Sequence, residues 1–100
     1  MFNIRLVLAI CLAHDNGVSV QLTKSIQLPF VPFKGLRFSD ERAIQITVVD
    51  YSISKEQFFC AVKTLTSYSH NDLQHQVDSF TEIGWQIARD SRVLKPGAPR

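Results

Sequence analysis

Glycine-rich loops, disulfide-forming cysteine sets and long apolar runs are all missing from this sequence. Its four glycines stand alone at positions 17, 35, 84 and 97, so there is no glycine-rich turn to hold a phosphate. Two cysteines, Cys11 and Cys60, do not make a disulfide framework. Each lies among apolar neighbours, where a free thiol behaves as a small buried hydrophobe. That usage fits a reducing, cytoplasmic setting. The longest apolar run, residues 6–13, falls far short of the roughly 20 residues that cross a bilayer. With Arg5 in front it has the outline of an export signal, but the whole element is shorter than the usual minimum of about 15 residues. Its removal would also leave Cys60 alone in an oxidising compartment. The run therefore reads as a strand.

An excess of one charge is also lacking. The chain of 100 residues carries a net charge of +2, and the last twelve residues, with Arg89, Arg92, Lys95 and Arg100 against Asp90, hold +3 of it. Residues 1–88 are thus slightly acidic, which argues against a broad nucleic-acid surface. Histidine is sparse as well. His70 and His75 are five apart, whereas a zinc pair on a helix needs three or four. His75 with Asp78 offers two ligands, which is too few for a site. No metal, cofactor or membrane partner is expected.

What is present is an alternating apolar pattern typical of strands. A chain of this length is one domain, here expected over residues 1–90, with 91–100 as a flexible basic tail. In residues 2–13, Phe2, Ile4, Leu6, Leu8, Ile10 and Leu12 share one side, and the other side is half apolar. Asn16-Gly17 signals a hairpin, because a type I′ turn wants positive φ at both central residues. Residues 18–28 then alternate cleanly, with Lys24 alone among the inward positions. Pro29 and Pro32 stop the ladder. Residues 36–38 suggest a short strand, 39–42 a turn and 43–53 a longer strand, with a bulge near Val49-Asp50. Residues 58–68 are ambiguous: Ser54 and Gln57 could cap a helix, but the aromatic and β-branched content favours a strand. The clear helix starts near Ser69 or Asn71, either of which can cap it. Its apolar stripe is Leu73, Val77, Phe80 and Ile83. Gly84 is a stop signal, although Ile87 would extend the stripe toward Arg89. The fold class expected is α+β: an antiparallel β-meander of four to five strands with one C-terminal helix packed on the sheet.

Function is less legible. The segment "LPFVPF" places large apolar residues around two prolines, and Phe30, Val31, Phe33 and Leu36 are candidates for a subunit contact or for a lid on the core. Its P-x-x-P spacing is too common and too greasy for a polyproline ligand. Trp85, just after the helix stop, either plugs the core edge or anchors an interface. The first expectation is a small interaction module, most simply a homodimer, that uses apolar sheet surface and this segment. The alternative is a ligand-binding domain or enzyme with a pocket between sheet and helix, for which Tyr51, Cys60 and His75 are the available groups. No catalytic constellation accompanies them, so an enzyme is the lesser expectation. A third reading is a weak nucleic-acid binder using the tail and the stretch from Lys34 to Arg37.

Overall fold

The computed structural model describes residues 1–42 and 44–92. Seven strands and one helix follow in the order β1 (Phe2–Leu12), β2 (Asp15–Leu28), β3 (Arg37–Phe38), a 3-10 turn (Ser39–Glu41), β4 (Ile44–Ser52), β5 (Gln57–Val62), β6 (Leu65–Ser67), α1 (His70–Glu82) and β7 (Gln86–Asp90). The sheet order is β3-β4-β5-β1-β2-β7, and β6 also pairs with β1. This is an α+β fold, but the sheet is mixed and is not a meander. β1 runs parallel to β5 through Ile4–Phe58 and Leu6–Cys60, and parallel to β6 through Ile10–Leu65 and Leu12–Ser67. β4 is antiparallel to both β3 and β5. The helix is followed by β7, so it does not close the chain.

The residues gather into two compact units. The first joins Met1–Leu8 to Thr23–Lys63. Its buried side chains are Ile4, Leu6 and Leu8 of β1, Ile44 and Ile46 of β4, and Cys60 and Val62 of β5. The second joins Ala9–Leu22 to the chain from Thr64 onward. Here Ile10, Leu12, Val18, Val20 and Leu22 are buried, as are Leu73, Val77 and Phe80 along one stripe of α1. The even-numbered positions of β1 from Ile4 to Leu12 are all buried, and Val7, Ala9 and Cys11 between them are half-buried. Partial cover on the second face is what a strand held between parallel and antiparallel neighbours requires.

Local chemistry explains where the elements begin and end. The Ser69 hydroxyl accepts from Asp72 N at 3.0 Å and caps α1. Gly84, at φ 99°, takes the positive φ that ends many helices. Trp85 N reaches back to Phe80 O at 3.2 Å. The helix therefore stops at Glu82, and Ile87 belongs to β7 rather than to a longer stripe.

The first hairpin turns earlier than Asn16-Gly17 predicts. Ala13 and His14 make the turn, and Asp15 already stands in β2. The Asp15 carboxylate accepts from Gly17 N at 2.9 Å. This side-chain turn competes with the backbone turn expected there. The β4 irregularity also lies earlier than expected. Register shifts between Ile46 and Val48, and this leaves Val48 exposed. Residues 57–62 and 65–67 are strands, and residues 53–56 form the hairpin turn before the first of them, with Glu56 at φ 51°. Of the expected tail, Ser91 and Arg92 are hydrogen-bonded to Ser19 and Asp90, and residues 93–100 lie outside the described ones.

Candidate functional site

The "LPFVPF" segment enters from β2 and is pinned to β4 at its far end. Gly35 N donates to Ile46 O at 2.8 Å, and Ile46 N donates to Leu36 O at 2.9 Å. Gly35 makes this bend at φ 98°, with open space where a side chain would stand. Pro32 is buried and Leu36 half-buried. The large residues around Pro32 are not. Phe30, Val31 and Phe33 are 43%, 51% and 52% exposed. The two phenyl rings lie 6.3 Å apart with a tilt of 39°, so they shield each other only in part. The segment is thus held to the sheet by its backbone and one proline, with its greasy side chains turned to solvent. A lid over the core would have buried them.

A second apolar group lies in the same unit. Phe58 makes edge-on contacts with Tyr51 at 4.8 Å and with Phe2 at 6.1 Å. Register explains the cluster, because Tyr51 pairs with Phe58 across β4 and β5 and Ile4, two residues from Phe2, pairs with Phe58 across β1 and β5. Phe2 and Tyr51 stay exposed, and Ile53 in the adjoining turn is 84% exposed. The unit of Met1–Leu8 and Thr23–Lys63 therefore holds most of the molecule's exposed large hydrophobic side chains among the described residues.

Trp85 behaves differently. It is 2% exposed and packs edge-on against Phe80 at 5.6 Å. It plugs the core beside the helix end, which removes it from the interface candidates.

The candidate pocket groups do not assemble. Tyr51 is exposed and belongs to the aromatic cluster. His75 is exposed on α1, and its carbonyl accepts from the Ser79 hydroxyl. Asp78, one turn further on, accepts from Gln74 Nε2 at 2.7 Å. Cys60 is fully buried opposite Val49. Burial, and after it the charge of Asp50, push its thiol up from the usual 9.0. A thiol without access and with a raised pKa is a poor nucleophile.

The raised value has a consequence for stability. The folded protein holds the Cys60 proton more tightly than the unfolded chain does. The benefit is full below the ordinary thiol value and is lost as pH rises from there through the higher value of the folded state. Cys60→Ala is therefore expected to flatten the fall in urea midpoint as pH rises above the ordinary thiol value of 9.0. Equal slopes in both proteins would refute this.

Three hollows among the described residues lie on strands and turns. A 430 Å³ hollow in the first unit is bordered by Asn3, Ser25, Gln27, Lys55 and Gln57. Gln27 Nε2 donates to Asn3 Oδ1 at 3.0 Å across it, and the Lys55 ammonium sits 5.6 Å from the Phe59 ring centroid. A 360 Å³ hollow is lined by Ile26, Leu28, Arg37, Phe38, Ser39 and Asp40. There the cation of the Lys34–Arg37 stretch shares its surroundings with a carboxylate. The third, of 330 Å³ in the second unit, includes Ser19, Gln21, Arg89 and Ser91.

Of the polar residues of these hollows, Ser19, Gln21, Ser25 and Gln27 read in the sequence as outward positions of one strand, and the others belong to other expected elements. Bringing them together needs the strand register, which alternation does not supply. Among the described residues, no three His, Cys, Asp or Glu side chains gather as a metal site, and no helix is long and apolar enough to cross a membrane. No protein family, curated protein or solved structure matches the chain.

Proposed function

We propose that this protein is an interaction module of the cytoplasm that self-associates through the surface bearing Phe30, Val31 and Phe33, with a different protein as the alternative partner for the same surface. The observation that carries the reading is the exposure of these three side chains on a segment whose backbone is tied to β4. A flexible loop would have little reason to present its apolar residues in a fixed array. A pinned one offers a pre-ordered apolar contact, which reduces the entropy lost on binding. Contiguous exposed apolar patches in small proteins commonly mark contacts, and two copies related by a twofold axis are the simplest arrangement. The cytoplasmic placement rests on the free thiols of Cys11 and Cys60.

The test is the molar mass in solution by light scattering, at two concentrations and in reductant. The chain is expected to run at twice its 11.4 kDa mass. The double variant Phe30→Ser, Phe33→Ser is expected to run as a monomer with an unchanged thermal midpoint. A monomeric wild-type chain at both concentrations would exclude self-association, and a variant that unfolds rather than dissociates would make the segment part of the core. Binding of a small ligand is the second reading and rests on the polar hollows.

A further inference from the structure

The 330 Å³ hollow of the second unit has a distinctive chemical makeup. It is lined by the small residues Ala9 and Gly17 and by Ser19, Gln21, Arg89 and Ser91. Each of these polar side chains can donate a hydrogen bond, and Arg89 can only donate. Ser91 Oγ accepts from Ser19 N at 2.8 Å, while Ser91 N donates to Ser19 O at 3.0 Å. With its oxygen engaged as an acceptor, the Ser91 hydroxyl has its proton left to give. The hydroxyl of Ser19 and the amide of Gln21 take part in no other hydrogen bond among the described residues. Arg89 is exposed, and no described carboxylate lies within ion-pair distance of it. Its guanidinium offers a fork of five N–H donors that matches the oxygens of a phosphate or carboxylate.

We infer that this hollow binds the phosphate group of a small phosphorylated molecule. Arg89 would take two of its oxygens, and the Ser19 and Ser91 hydroxyls would donate to the others. Charge favours a single phosphate over a polymer. One cation lines the hollow, whereas a nucleic-acid backbone is held by a track of several. The volume leaves space for a group attached to the phosphate. Asp15 sets the opposing term, since its carboxylate accepts from the backbone N–H of Gly17, a lining residue. This site is independent of the Phe30–Phe33 surface, so either assignment can fail without the other.

The experiment is a titration of isotope-labelled protein with inorganic phosphate, with a nucleoside 5′-monophosphate, and with a short oligothymidylate, followed by amide chemical shifts. Saturable shifts centred on residues 17, 19, 21, 89 and 91 are expected with the first two probes. Arg89→Gln is expected to weaken both by about tenfold or more, as for loss of a charge-assisted hydrogen-bond pair. Asp15→Asn is expected to tighten them. Arg89 is exposed, and unchanged Trp85 fluorescence checks that the variant is folded. Three results would each overturn the assignment: shifts centred elsewhere, unchanged affinity in folded Arg89→Gln, or binding of the oligonucleotide alone.

Discussion

Phe80→Ala is expected to destabilise the protein by about 3–5 kcal/mol, the usual range for removing a fully buried phenyl ring. Phe80 is the last buried position of the α1 stripe and has no exposed surface. Its ring meets Trp85 edge-on at 5.6 Å, and its carbonyl accepts from both Ile83 N and Trp85 N at the helix end. Deleting the ring removes the apolar contact and also unseats the tryptophan that closes the core beside it. Chains of this size have total stabilities of roughly 5–15 kcal/mol, so the variant should give up a substantial share of its stability. Urea unfolding followed by Trp85 emission measures the loss. Phe80→Leu, which keeps most of the volume, should cost clearly less. Equal losses for Ala and Leu would mean that aromatic geometry matters here more than volume. A loss below about 1 kcal/mol for Ala, outside the range for such truncations, would show that Phe80 is not a core residue.

Arg92→Ala is expected to cost about 2–3 kcal/mol, because it takes the two guanidinium hydrogen bonds from a nearly buried carboxylate. Asp90 closes β7 and is only 9% exposed. Arg92 grips it with Nε at 3.0 Å and an Nη at 2.8 Å, and its other Nη reaches Gln74 Oε1 on α1 at 2.9 Å. The Asp90 hydrogen bond raises the guanidinium pKa further above its already high value, so this cation stays charged at every accessible pH. The figure lies below the range for fully buried pairs because Arg92 retains some solvent contact. Acid supplies an internal check. A protonated Asp90 needs no counter-charge, so the gap between wild type and Arg92→Ala should narrow as pH falls. A gap that stays constant with pH would assign the loss to packing of the arginine stem.

Most elements were legible in the sequence, and their neighbours were not. Alternation located β1, β2 and β4, and the Ser69 cap with the Leu73, Val77 and Phe80 stripe located α1. The meander failed because it assumed that strands adjacent in sequence lie adjacent in the sheet. The contrary signal was present: β1 and β5 are the strands with apolar residues on both sides, as in "IRLVLAICL" and "FFCAV". Such strands suit the middle of a sheet with parallel neighbours. β7 was obscured because Ile87 lies four residues after Ile83 and so continues a helical period. Only the positive φ of Gly84 breaks that period. On the functional side, composition singled out Phe30, Val31 and Phe33, but whether they cover the core or face water depends on the bonds from residues 35 and 36 to Ile46. The Ser19–Ser91 contact joins positions 72 apart in the chain, beyond the reach of any local pattern.

The parallel pairing of β1 also governs how the chain can fold. Ile4 finds Phe58 and Ile10 finds Leu65, so one edge of the most apolar strand has to wait for partners more than fifty positions further along. Its other edge is closed early by β2, across a two-residue turn that only an antiparallel neighbour permits. Contacts between such distant segments slow folding, because a long loop must close before they form. During synthesis the first hairpin would emerge with an open, greasy edge and remain so until β5 leaves the ribosome, a form prone to pairing with other chains. Refolding from denaturant is thus expected to be slow for a protein of this size, and its yield should fall as concentration rises.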